Sequence, residues 1–181
     1  MAADNVNKSL LPVAGQRYAV LLGSAIVILT TTVPYLTMVN IFLFAGIFFS
    51  GTIALYRTIL RFQVRLSYRD AFFVGCLVGL VGGIASEGIT FLLMNFFNYR
   101  PGTESLAVLI AWVTEMAKGK PELQEQVRQL VAAEKLALSP VSLSFTDILM
   151  NMFFSGAFYA PIAGLGGAFA VLRLKRKASR G

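Results

Sequence analysis

Residues 71–97 read AFFVGCLVGLVGGIASEGITFLLMNFF, 27 positions with one charged side chain, Glu87. An apolar run of that length spans the hydrocarbon core of a bilayer as a helix. Glycines stand at Gly75, Gly79 and Gly83, and the next step of four arrives at Glu87. Steps of four keep to one helix face, so the smallest residues and the lone acid share a stripe. Helices in lipid gain little from hiding apolar surface; they associate through close contact and interhelical hydrogen bonds. The stripe is therefore the expected contact face.

Outward from this segment the pattern recurs. Apolar spans are expected at about 18–37, beginning YAVLLGSAIVILTTTVPY, at 41–60 and at 147–172, besides 71–97 itself. Thr30, Thr31, Thr32 and Pro34 weaken the end of the first span. The short segment 36–40 then forces an antiparallel hairpin. The last span, DILMNMFFSGAFYAPIAGLGGAFAVL, carries Gly156, Ala160, Gly164 and Ala168 at steps of four. That second ridge of small residues is the natural antiparallel mate of Gly75, Gly79 and Gly83. Pro161 is expected to kink the helix, because its ring displaces a carbonyl one turn back. The string FFSG occurs at 48–51 and again at 153–156, a faint echo of a two-hairpin repeat.

Composition points the same way. Of 181 residues 56% are hydrophobic and 14% charged, and the mean hydropathy is +0.70. Soluble domains carry roughly 25% charged residues, so nearly half the usual charge is missing. The expected fold is all-α: a polytopic membrane protein of four transmembrane helices in two hairpins. An N-terminal arm at 1–17, an outer loop at 98–146 and a basic tail at 173–181 complete it.

The net charge of +7 is distributed in clusters beside the spans. Lys8 and Arg17 precede the first; Arg57, Arg61, Arg65 and Arg69 follow the second, the first three continuing its helix on one face at steps of four. Arg173, Lys175, Arg176, Lys177 and Arg180 follow the last, which brings eleven of the sixteen cations into these three segments. By the positive-inside rule both termini are expected to face the cytoplasm of a bacterial inner membrane, with residues 98–146 outside. Arg57, Arg61, Arg65, Arg69, Arg173, Lys175, Arg176 and Lys177 are expected to meet lipid headgroups. No basic stretch alternates with aromatics as a nucleic-acid surface would, so no nucleic-acid partner is expected.

The outer loop has its own pattern. In SLAVLIAWVTEMAKGK, at 105–120, Leu106, Leu109, Ile110, Val113 and Met116 share one face with Trp112 beside them. This suits an amphipathic helix at the bilayer interface. Gly119 breaks it, Pro121 starts a second helix, and Leu123, Val127, Leu130, Val131 and Leu138 line one side of that helix before Ser139-Pro140 ends it. The pair serves either as a docking surface or as a connector packed on the membrane.

Enzymatic chemistry finds no support. There is no histidine and one cysteine, Cys76, which excludes an intrachain disulfide, Ser-His-Asp and Cys-His nucleophilic sites and Cys-based metal sites. Cys76 reads as a small packing residue. Paired carboxylates and a phosphate-cradling loop are missing, so no catalytic residue, metal or cofactor is expected. Glu87 is the one polar site worth singling out, because intramembrane carboxyls face a bundle interior or a wet cavity. Matched by depth, Ser155 and Tyr159 are its expected partners, with Ser50 and Thr52 as further candidates. Two uses stay open: a neutral group bonding two helices, or a proton- or cation-handling carboxyl in a small carrier or channel. The corresponding expectations for the whole chain are an accessory or assembly subunit with a protein partner or second copy, and a small transporter.

The segment LSYRDAFFVGCLVGLVGG at 66–83 resembles the start of the third helix in an uncharacterised family of small bacterial membrane proteins common in Bacteroidota. The loop PELQEQVRQLVAAEKLALSP, followed by a glycine-rich helix and basic tail, is similar too. The resemblance covers about 15–177 and implies a four-helix inner-membrane protein of unknown function, with no binding or catalytic residues to carry over. The strongly apolar Trp112 segment departs from it.

Overall fold

A Ser at the right distance before an apolar run fixes where the two longest helices begin. The Ser67 hydroxyl accepts the Asp70 amide at 3.1 Å, one of the four amides a helix start leaves without an internal partner. Ser144 accepts the Thr146 amide, while its own amide donates to the Asp147 carboxylate at 2.9 Å. That reciprocal pair satisfies two donors at once.

The computed structural model describes residues 11–41, 43–138 and 144–179. They form seven helices and no strand: α1 Val13–Thr32, α2 Met38–Ile41, α3 Ala45–Phe62, α4 Tyr68–Phe97, α5 Thr103–Met116, α6 Pro121–Leu138 and α7 Phe145–Ala178. Three of these, α1, α4 and α7, are long and apolar enough to cross a membrane. The fourth expected span, α3, has 18 residues with Arg57 and Arg61 among them and is not one of these three.

Several expected boundaries are corrected. α1 starts at Val13, inside the expected arm, and stops at Thr32 rather than near 37, because Val33 turns extended ahead of Pro34. Thr31 and Thr32 turn their hydroxyls back onto the carbonyls of Val27 and Ile28 at 2.8 and 2.6 Å. α3 starts at Ala45 rather than 41, since Asn40 staples the connection: its amide donates to Thr30 O at 2.9 Å and its side-chain oxygen accepts from Ile47 N at 3.2 Å. α3 ends at Phe62, where Gln63 adopts a left-handed backbone (φ 51°). Arg65 therefore lies outside the helix and off the face it was expected to share with Arg57 and Arg61, while Arg69 falls in the first turn of α4. α7 continues through Pro161, where one missing N–H costs a single rung, and carries the expected tail residues 173–178 as helix. The arm at 1–10 with Lys8, the terminator Ser139-Pro140 and Arg180 lie outside the described residues.

α4 packs on α7 and α1; α3 packs on the same two and meets α4 only sparsely. Ala19, Ile47, Ala54, Leu55, Val78, Ala163 and Ala170 fill the centre with no exposed surface. Phe73, Phe96, Phe153 and Phe158 point outward, an apolar exterior suited to acyl chains. The Arg61 guanidinium lies 4.6 Å over the Tyr18 ring and the Lys175 ammonium 4.1 Å over Tyr68. These contacts gather the start of α1, the α3–α4 connection and the end of α7 at one end of the bundle. At the other end the Thr37 and Ser105 hydroxyls hydrogen-bond, tying the α1–α3 connection to α5. Beyond that tie, α5 and α6 pack chiefly on each other, with Leu106, Leu109, Val113, Val127 and Leu130 half-buried between them.

Candidate functional site: the α4–α7 seam and Glu87

The two small-residue ridges meet, antiparallel. A Cβ built on Gly75 would stand 2.8 Å from Gly164 Cα, one on Gly79 2.8 Å from Ala160 Cα, and one on Gly83 2.8 Å from Gly156 Cα. Nonbonded carbons settle near 3.5–4.0 Å, so these positions admit hydrogen alone and the backbones touch. Cys76 serves as packing, its sulfur lying where a Cβ on Gly164 would approach to 2.7 Å. Ala168 is half-buried and does not continue the ridge; Gly167 does, facing the Ala71 carbonyl. A helix repeats every 3.6 residues, so a row stepping by four drifts around the axis and must switch to a step of three.

Glu87 lies one turn beyond Gly83, and the Ser155 hydroxyl donates to its Oε1 at 2.9 Å. The bond crosses from α7 to α4 and joins the two most extensively packed helices. Both residues are half-buried. On the outer side the seam widens, since a Cβ on Gly88 would meet only the flexible end of Met152, at 3.6 Å. Tyr159 belongs to the same seam, its carbonyl against Gly79, but makes no hydrogen bond to Glu87. Ser50 and Thr52 do not reach the acid either. Ser50 donates to Ile47 O at 2.6 Å, and Thr52 lies 3.0 Å from both Phe48 O and Gly166 O. Their hydroxyls are consumed by backbone carbonyls, which in an apolar interior have no water to bond. Among the described residues, no buried side-chain polar atom lacks a partner, and no three His, Cys, Asp or Glu side chains stand close enough to hold a metal ion.

Two further close approaches were not expected from the sequence. α3 meets α7 where Gly51 faces the Ala163 carbonyl and Gly166 faces Phe48, a contact closed by the Thr52 hydroxyl on Gly166 O. α1 meets α4 where Gly23 accommodates Val78 and Gly82 accommodates Val27. These glycines are not repeated at steps of four, and that left them indistinguishable from incidental ones. All eight basic residues assigned to headgroups are exposed. Arg61 packs on Tyr18, whereas Arg65 and Lys175 line a cleft of about 500 Å³ at the same end.

Comparisons of the chain with protein-family models, with curated proteins and with solved structures return no match.

Proposed function

We propose that the chain is a non-enzymatic accessory or assembly subunit of a bacterial inner membrane, with α1, α3, α4 and α7 as its four spans. Its 18 residues make α3 about 27 Å long, close to the roughly 30 Å of a hydrocarbon core. The clustered cations at one end favour cytoplasmic termini, and α5 and α6 then lie outside. The resemblance of 66–83 to four-helix proteins of unknown function belongs to the same proposal.

The observation that carries the accessory reading is the state of the interior. Ile47, Leu55, Val78 and Thr58 are fully buried across the bundle centre, and the one intramembrane acid is spent on joining α4 to α7 through Ser155. The α5–α6 pair is left as the part that meets something else, a protein partner or a second copy, with Val108 and Trp112 exposed.

The test is purification in mild detergent. A stoichiometric partner or a defined oligomer, lost in Val108→Ser/Trp112→Ser while thermal unfolding is unchanged, is the expected result. One observation favours a second reading, a small proton- or cation-linked carrier: Glu87 sits half-buried where the seam widens. A monomer whose proton or cation flux into liposomes vanishes in Glu87→Gln would replace the accessory role with that one.

A further inference from the structure

α3 and α7 touch where Gly51 meets the Ala163 carbonyl, and α1 and α4 touch where Gly82 accommodates Val27. Away from the basic end, α3 continues for six residues beyond that level and α7 for 18, about 9 and 27 Å of helix. α1 continues for five residues beyond Val27 and α4 for 15 beyond Gly82, about 8 and 23 Å. α4 and α7 stay side by side past Pro161, with Ser155 holding Glu87. The α1–α3 hairpin therefore turns back about 15–18 Å of helix short of their ends. One leaflet contributes about 15 Å to a hydrocarbon core.

The turn of that hairpin is made for a place without water. No charged residue occurs from 18 to 56. Tyr35, Leu36, Val39, Ile41 and Leu43 are exposed, Leu43 by 92%, and α5 reaches the turn through the bond between Ser105 and Thr37. The polar groups left over by the two helix ends are met from within. The amides of Leu36, Met38, Val39 and Asn40 donate to carbonyls two or three residues back. Asn40 takes up both Thr30 O and Ile47 N with its side-chain amide, and the Thr31 and Thr32 hydroxyls close on carbonyls of α1. A bilayer interior offers no water to unmet backbone groups, so a turn that stays there has to bond itself. We propose that this turn lies among the acyl chains of the leaflet on the α5–α6 side, and that lipid covers Tyr35, Leu36, Val39 and Leu43. The inference rests on the proposed spanning arrangement but not on which side is cytoplasmic.

The chain has one tryptophan, Trp112, so Trp112→Phe gives a background in which single reporters can be placed. Leu43→Trp and Tyr35→Trp report the turn, Phe97→Trp the far end of α4, and Leu165→Trp, at an exposed position of α7, the bilayer itself. Each is reconstituted into phosphatidylcholine vesicles, brominated midway along the acyl chains or unbrominated, with iodide on both sides as the aqueous quencher. Both turn reporters are expected to lose most of their emission in brominated lipid, as Leu165→Trp does. They are also expected to be shielded from iodide that quenches Phe97→Trp. Quenching of the turn reporters by iodide as strongly as Phe97→Trp would put the turn in water. Protection from both quenchers would show that protein, α5–α6 or a second copy, covers it. Either result, with Leu165→Trp still quenched by lipid, overturns the proposal and leaves the spanning arrangement standing. An unquenched Leu165→Trp would remove that arrangement and the proposal with it.

Discussion

Gly83→Ala adds one methyl group at the point where α4 and α7 are closest to the hydrogen bond that joins them. The new Cβ would stand 2.8 Å from both Gly156 Cα and Ser155 O. Relaxing to an ordinary contact of about 3.6 Å requires the helices to part by about 0.8 Å. Glu87 is one turn away, so the same movement lengthens the 2.9 Å bond from Ser155 to about 3.7 Å, outside hydrogen-bonding range. Overpacking costs about 1–3 kcal/mol, and a lost interhelical hydrogen bond in a membrane bundle about 1 kcal/mol. Replacing a helical glycine by alanine returns about 1 kcal/mol, leaving a net loss of about 1–3 kcal/mol. Gly88→Ala receives the same propensity gain, and its only close neighbour is the flexible end of Met152, at 3.6 Å. It is expected to be neutral or stabilised by up to about 1 kcal/mol. Denaturation by SDS from mild-detergent micelles, followed by far-ultraviolet circular dichroism, measures both. If Gly83→Ala unfolds together with Gly88→Ala, the backbone-close seam is refuted.

Three other outcomes follow from local geometry. Burial and then the nearby Glu104 carboxylate, 3.3 Å from its hydroxyl, hold the Tyr99 phenol above its ordinary value near 10. The raised value means that the folded state keeps this proton longer than the unfolded one. The stability it contributes is thus complete below pH 10 and is lost as the pH rises through the raised value. Absorbance titration of the wild type minus Tyr99→Phe should show this late step, and Glu104→Gln should lower its midpoint without returning it fully to normal; an unmoved midpoint would exclude the pairing. Gln63→Gly, at an exposed left-handed position with φ 51°, should stabilise by up to about 1 kcal/mol, read as a higher melting temperature. Thr37→Ala and Ser105→Ala should each speed proteolysis of the α5–α6 segment with no additive effect in the double variant, because they share one hydrogen bond; additive effects would separate them.

The α4–α7 pairing was legible because three glycines and an acid at steps of four leave one reading of which face is shared. Ser155 could be matched to Glu87 from depth alone, since both helices have a recognisable outer end. Ser50 and Thr52 could not be excluded that way: a hydroxyl in a helix can bond its own preceding turn, and only side-chain placement shows that these two do. Likewise the Gly51–Ala163 and Gly23–Val78 contacts depend on which corner of the bundle each helix occupies, and no local pattern encodes that. Arg65 was misplaced by one residue's backbone, Gln63 turning left-handed. The helix of α7 runs on past the expected span end at 172, because Leu, Lys, Arg and Ala are strong helix formers and hold it to Ala178.

The 34 residues of α7 amount to about 51 Å of helix, some 20 Å more than a hydrocarbon core needs. Ser155 and Lys175 lie on it about 30 Å apart. Pro161 lies between them, so a load on the basic end would reach that hydroxyl through a turn that lacks one internal hydrogen bond. The basic end and the hydroxyl that holds Glu87 thus belong to one element.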